Sequence, residues 1–468
     1  MSKMRINLIR ATIHQYKCIE TEQTFEIEKD ITLLMGKNEA GKTSVLEALA
    51  KSNYFDSCDS KYAYNPTFDY PRSNKRNLDK TVGSPLAVTL HYHVSAELQE
   101  EIKLEMLLPV EGIGFSRITN YLGKHQIIDN AFEYQPLAFW EAYASQVDGN
   151  ILKYRKKLAN IRHAEGFQDF MKIVLPDASV EEITSLENIE RFFENPHEWD
   201  NPINEYVFRR YLQPDIPKFM YYGDYHLLPS RVSLNRLLKE ENLTEAEKTA
   251  KMFLKLADID LDEVLHAQDF ETYKTEIEIT QANMTKELLK YWRTNQNLRI
   301  EFEIIREEID HENINKKKKF LGFIGRKNAE ISPSFETFLE IRVQNLKKMV
   351  SLPLENRSRG FNWFFSFWVW FSAIEKDNSA SPYIFLLDEP GLNLHSIAQK
   401  DLMRLIGKLS SNYQIMITAH SPFLMEEKLD KVRCVVDKEC GTCITTLDDE
   451  DDEETLFPVR YLMVNEQN

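Results

Sequence analysis

The densest chemistry in the sequence lies at Gly36-Lys37-Asn38-Glu39-Ala40-Gly41-Lys42-Thr43, which fits G-x-x-x-x-G-K-[ST] in full and runs on into Ser44. Glycines at this spacing let backbone N–H groups turn inward on phosphates, at the positive end of a helix. Lys42 is placed to reach the β- and γ-phosphates, and the Thr43 hydroxyl to hold Mg2+. A second set comes late in the chain. Tyr383–Leu387 is an unbroken apolar run ending in Asp388-Glu389-Pro390, the pattern of a central parallel strand buried on both faces. Carboxylates at the C-terminal edge of such a strand face the usual ligand crevice of an open α/β sheet. Asp388 is expected to orient Mg2+ through water, and Glu389 to polarise an attacking water. A third apolar run, Gln414–Ala419, closes in His420-Ser421-Pro422 and brings an imidazole within reach of a γ-phosphate. Lys42, Glu389 and His420 are therefore the expected catalytic groups, with ATP and Mg2+ as the implied ligands.

Arg357-Ser358-Arg359-Gly360 precedes the apolar run Phe361–Phe371. A hydroxyl, backbone N–H groups and a helix dipole meet there, and two guanidinium groups add cationic reach toward a phosphate. The apolar run has 11 residues, whereas a bilayer span needs roughly 20. It reads as a buried helix, which excludes a membrane partner.

Other features are weaker. Cys440-Gly441-Thr442-Cys443 is a single CxxC without the further ligands zinc requires, and its glycine suits a hairpin turn. Lys316–Lys319 with Arg326 and Lys327 is a basic excursion, either solvated or in contact with nucleic acid or an acidic partner. The acidic run 448–454 reads as a solvated loop. In 218–231 Asp224 or His226 could sense nucleotide, or the stretch could be structural. Leu456, Phe457, Val459, Tyr461, Leu462 and Met463 are too apolar for an isolated tail, so they are expected to dock a separate effector or pack back on the ATP-binding core.

The elements that must position these residues follow from the apolar pattern. INLIRATIHQY and TFEIEKDITLLM read as two strands within 5–35, the second feeding the glycine loop and a helix from Thr43. Strand signals return at 86–95 and 115–122, helices dominate from 131 to 228 and from 245 to 293, and strands resume at 298–309 and 336–345. Tyr273, Ile277, Met284, Leu288 and Tyr291 keep a seam near 3.5 residues, the mark of a short arm. The expected division is an N-terminal core part at 1–130, a helical insertion at 131–230, a helical arm at 231–296, and a C-terminal core part at 297–468.

With 468 residues, 43% hydrophobic and 28% charged, the chain can build real cores, and bulk disorder is excluded. Its net charge of −16 speaks against a whole-surface nucleic-acid binder. Five cysteines make no disulfide framework, and the first residues lack a signal pattern, so a cytoplasmic location is expected.

GKNEAGKTSVLEAL, LLDEPGLNLH and ITAHSPF resemble the ABC-type ATPase heads of the SMC, RecF and OLD (overcoming lysogenization defect) families. The resemblance implies an α/β, ABC/SMC-type P-loop head with helical insertions. GLNLH then takes the D-loop position, with Asn393 and His395 facing a partner subunit. Arg357–Phe367 takes the signature position. It departs from LSGGQ and resembles the R-S-K-G-F-x-W-F-F-S-F form of OLD-like ATPases; FDYPRSN (68–74) resembles an early segment of that family. In such heads the signature acts on nucleotide held by the other protomer, which implies a head-to-tail dimer or a higher homo-oligomer of dimers. OLD proteins continue into a Toprim nuclease, and residues 451–468 resemble the junction to it. Either the sequence is truncated there, or the effector is a separate polypeptide, as with the AriA-type ATPases of PARIS phage defence. The expectation is thus an ATP-driven sensor or regulator of phage defence, controlling a separate nuclease or toxin effector, with DNA or a phage product as trigger. The alternative is a RecF- or SMC-like ATPase of DNA maintenance. A transporter subunit is disfavoured by the missing LSGGQ and by the helical insertions.

Overall fold

The computed structural model describes residues 4–75, 84–107, 114–129, 134–223, 226–239, 243–266, 271–308, 335–376, 382–392, 394–419, 429–450, 453 and 455–456. By contact the chain divides into two compact units. The first comprises residues 1–221, 381–388 and 409–468, the second residues 222–380 and 389–408. This division cuts across the four segments read from the sequence: 131–221 belongs with 1–130, and 231–296 belongs with most of 297–408.

The first unit holds two sheets. Strands β1 (Ile6–Ile13), β2 (Gln23–Glu26), β4 (Leu86–Val94), β5 (Gly114–Asn120) and β6 (His125–Asp129) form an antiparallel sheet in the order β2-β1-β4-β5-β6. Strands β3 (Ile31–Met35), β7 (Lys218–Tyr222), β12 (Tyr383–Leu387), β13 (Gln414–Ala419), β14 (Val432–Lys438) and β15 (Gly441–Thr446) form the other, ordered β15-β14-β3-β13-β12-β7. Within it β12, β13, β3 and β14 run parallel. All five residues of β3 and all six of β13 are buried, as strands covered on both faces must be.

TFEIEKDITLLM was expected as one strand and is two, each in a different sheet. The break falls where Glu28 and Asp30 turn to outside partners: Glu28 meets Arg433 at 2.6 Å and Asp30 meets Lys431 at 2.5 Å. The stretch Pro136–Asp215 is helical. Its aromatic rings stack inward, Trp140 on Phe193 and Phe193 on Phe167, with centroids 5.5 and 4.6 Å apart.

In the second unit β10 (Phe335–Asn345) is the hub. It pairs antiparallel with β9 (Leu298–Glu308) along its length, and with β8 (Arg231–Ser233) and β11 (Val350–Pro353) over separate parts. The helix Arg359–Lys376 carries the aromatic run, buried from Trp363 to Phe371. Among the described residues no helix is long and apolar enough to cross a membrane. The helix Glu271–Tyr291 packs on β9. It buries Met284 and Leu288, and the Gln281 amide donates to the Phe302 carbonyl on β9 at 2.7 Å. The basic excursion at 316–327 lies outside the described residues.

Candidate nucleotide site

The glycine loop joins β3 to the helix Lys42–Ser52. Gly41 has φ +103°, a conformation that favours glycine, and Glu39 reaches the same left-handed region at +64°. A Cβ on Gly36 would land on the Val435 carbonyl oxygen of β14, and one on Gly41 would strike Thr442 of β15 and lie 2.9 Å from Cys18 Sγ. Close approach thus requires both glycines, and at Gly41 the backbone conformation requires one as well. The loop rests on this hairpin: Thr442 Oγ1 donates to the Ala40 carbonyl at 2.9 Å, while Thr442 N donates to the Cys18 carbonyl at 2.9 Å. Cys18 Sγ lies 3.3 Å from Ser44 Oγ.

Lys42 is buried, and its Nζ donates to the Gly36 and Lys37 carbonyls at 2.9 and 2.6 Å. Lys37, Asn38, Glu39 and Thr43 are exposed. The strand order places β13 between β3 and β12, so the loop and Asp388 face each other across one strand's width. Thr43 Oγ1 donates to Asp388 Oδ2 at 2.9 Å. Two further hydroxyls reach the same carboxylate: Tyr221 to Oδ2 at 2.7 Å and Thr418 to Oδ1 at 2.8 Å. Burial, then the Asp388 charge, push the Tyr221 phenol far above its ordinary pKa, so it stays a donor.

These groups fit Mg·ATP. A lysine ammonium within a glycine loop at a helix N-terminus, and a threonine hydroxyl beside a carboxylate, are groups such a ligand needs. The next residue, Glu389, has φ +46°. His420, Asn393 and Asp224 lie outside the described residues. Tyr221, Thr418 and Thr442 were not singled out from the sequence. For Tyr221 and Thr418 the available signal was a hydroxyl near the C-terminal end of a largely apolar strand, as in KFMYY and QIMITA.

Some expectations are corrected. His226 is buried in the second unit, 3.0 Å from the Glu245 carboxylate and stacked on Tyr222, in keeping with the structural alternative for this stretch. The acidic run is not wholly solvated. Glu450 is buried and accepts from Thr445 Oγ1 at 3.1 Å. With the buried Thr455 it lines a cavity of about 460 Å³ shared with Lys37–Ala40. Leu456 is half-buried and lines a cleft together with Phe25 and Ile444; residues 457–468 lie outside the described set. Cys440 and Cys443 flank the β14–β15 turn with Sγ atoms 3.4 Å apart.

In the second unit Ser358 caps the helix Arg359–Lys376, accepting from Phe361 N at 3.3 Å. Arg357, Ser358, Gly360, Leu394 and His395 line a pocket of about 270 Å³. His395 Nδ1 accepts from Ala398 N at 3.3 Å and so caps the helix Ser396–Leu409. Arg359 and Ser358 are exposed.

Comparison with known families decides the class of this site. The AAA ATPase domain family (AAA_15) matches residues 4–425. The chain belongs to that family. This ATPase domain is also 33% identical over 141 residues to MJECL43, an uncharacterised protein of Methanocaldococcus jannaschii. The match covers 29% of the chain and 36% of that protein, so the ATPase chain aligns with about a third of the relative's length. Among solved structures it is similar to the SMC head domain from Thermotoga maritima, at 10% identity and TM-score 0.36, covering 94% of this chain and 99% of that one. It is likewise similar to the Smc head domain with an extended coiled coil from Pyrococcus furiosus, bound to the C-terminal domain of ScpA, at 13% identity and TM-score 0.39, covering 99% and 100%.

Proposed function

We propose that this ATPase domain binds and hydrolyses Mg·ATP, and that the cycle drives a head-to-tail pairing that controls a separate nuclease-type effector in phage defence. The observation carrying the ATP reading is the bond from Thr43 to Asp388, which joins two motifs 345 residues apart at the mouth of the glycine loop. Mg2+, when bound, supplies positive charge to the β- and γ-phosphate oxygens; Thr43 would hold it directly and Asp388 through water. Lys42 exchanges two carbonyl oxygens for those of the phosphates. Glu389 orients the water that attacks the γ-phosphorus, with His420 as the adjoining polar group. Arg357, Ser358, Arg359, Gly360 and Asn393 serve the nucleotide of a second copy. The helix-capping position of Ser358 and the exposure of Arg359 support that assignment. The phase of biology, defence through a partner nuclease, is supported by the likeness of Arg357–Phe367 to the OLD-like signature.

Three variants test the reading. Lys42→Ala should lose ATP binding, and Glu389→Gln should keep binding, lose hydrolysis, and accumulate as an ATP-held dimer by light scattering. Ser358→Arg should bind ATP without turning it over. Mixed with Lys42→Ala it should regain part of the activity, because one composite site is then intact. Absence of rescue in a proven mixed dimer would refute catalysis in trans. Turnover stimulated by DNA, with no nuclease co-purifying from the native host, would favour the DNA-maintenance alternative instead.

A further inference from the structure

Among the described residues of the first unit, a large cavity lies away from the glycine loop. It has a volume of about 1210 Å³ and opens between β5–β6 and the segment 197–216, a turn followed by short helices. At its wall lies Arg117, only 8% exposed. Its Nη1 donates to the Ser52 carbonyl at 2.7 Å, and it forms no ion pair among the described residues. Burial, the largest influence, pushes the guanidinium below its ordinary pKa. An unpaired buried cation is costly, and the cost is removed when an anion arrives. Lys124 and Lys218 line the same cavity, so three cations face two carboxylates, Glu198 and Asp200, in a chain whose net charge is −16.

The rest of the lining is not generic. Trp199 and Phe208 stand together with ring centroids 5.2 Å apart, and Trp199 keeps part of its surface open. Gln126 and Gln213 also line the cavity, and neither side-chain amide has a partner among the described residues. A buried guanidinium with lysines holds phosphate, an aromatic face stacks a planar ring, and free amides pair with base edges.

We infer that this cavity is a second ligand site, separate from the glycine loop, for a nucleotide: phosphate on Arg117, Lys124 and Lys218, and base against Trp199. The site differs from the ATP site in position and in chemistry, having no glycine loop and no hydroxyl–carboxylate pair of the Thr43–Asp388 kind. Its occupant is also tied to the helix Lys42–Ser52, since Arg117 holds the last-turn carbonyl of that helix.

The test uses the full chain carrying Lys42→Ala, with calorimetric titration of AMP, GMP, CMP and UMP, and of inorganic phosphate as the ring-free probe. At least one mononucleotide should bind with a dissociation constant of about 1 mM or tighter. Adding Lys124→Glu with Lys218→Glu, both at accessible positions, should weaken it by about tenfold or more, as should Arg117→Gln if that variant keeps its cooperative melt. Phosphate alone should bind at least about tenfold more weakly than the nucleotide. No heat with any mononucleotide would overturn the inference, as would equal affinity for phosphate. Binding that ignores the Lys124/Lys218 changes would also overturn it, and would instead show that the glycine loop still holds nucleotide without Lys42.

Discussion

Three hydroxyls converge on one carboxylate at Asp388, and each holds it differently. Thr43 is the group expected to share a cation with it, whereas Tyr221 and Thr418 only fix its rotamer. Tyr221→Phe removes a hydrogen bond to a charged group, worth about 1.5–3 kcal/mol. Turnover should therefore fall about tenfold or more while ATP affinity changes little, a kcat effect that steady-state assays with a separate binding titration would separate from a KM effect. A second residue carries stability. Asp69, within FDYPRSN, is buried and accepts from Lys51 Nζ at 2.6 Å, Asn65 N at 2.7 Å and Tyr16 at 3.2 Å. Asp69→Ala leaves Lys51 as an uncompensated, nearly buried charge and should cost about 3–5 kcal/mol in denaturant unfolding. Unchanged stability would show that water enters to replace the carboxylate. At this scale the glycine loop and Asp388 were legible, since each is a contiguous string whose spacing is its chemistry. Tyr221 and Thr418 were not, because only the strand order β13-β12-β7 carries their hydroxyls to Asp388.

Elements were readable where the pattern is local, and unreadable where the partner decides. The strands at 86–94, 298–308 and 335–345 and the aromatic helix 359–376 follow their apolar runs closely. The seam through Met284 and Leu288 set the buried face of its helix, yet nothing in a period near 3.5 says whether that face meets a helix or the strand β9. The β14–β15 hairpin is the clearest omission. It was legible as a turn at Gly441, but not as the support of the glycine loop, because Thr442 meets Ala40 across 402 residues of sequence. Thr442→Val keeps the shape and removes the donor to the Ala40 carbonyl. The expected loss is about 0.5–1.5 kcal/mol, read as roughly a two- to tenfold rise in the Kd for ATP with a modest drop in melting temperature. Gly36→Ala acts on the same contact by bulk, since the new methyl must displace the Val435 carbonyl. It should abolish ATP binding even in a protein that still folds, and normal ATP affinity in this variant would refute the close packing.

At the scale of the whole molecule, β3 lies between β13 and β14, and Met35 pairs with Cys434. Gln414 repeats the theme with a side chain: its amide exchanges hydrogen bonds with the Leu8 N–H and carbonyl, both at 2.8 Å. A ribosome adds about 5–20 residues each second. The strand Ile31–Met35 therefore leaves the exit tunnel roughly 20–80 s before either flanking strand exists. Throughout that interval five residues, four of them apolar and all buried in the finished protein, offer two open edges to any other nascent chain. Synthesis should thus be the most hazardous period in the life of this protein. A chain released between residues 388 and 414 should be captured by chaperones or aggregate, and should show no ATP binding despite carrying the glycine loop and Asp388. Pulse-labelling of stalled chains, with ATP-resin capture at each length, would follow the strand until its neighbours arrive.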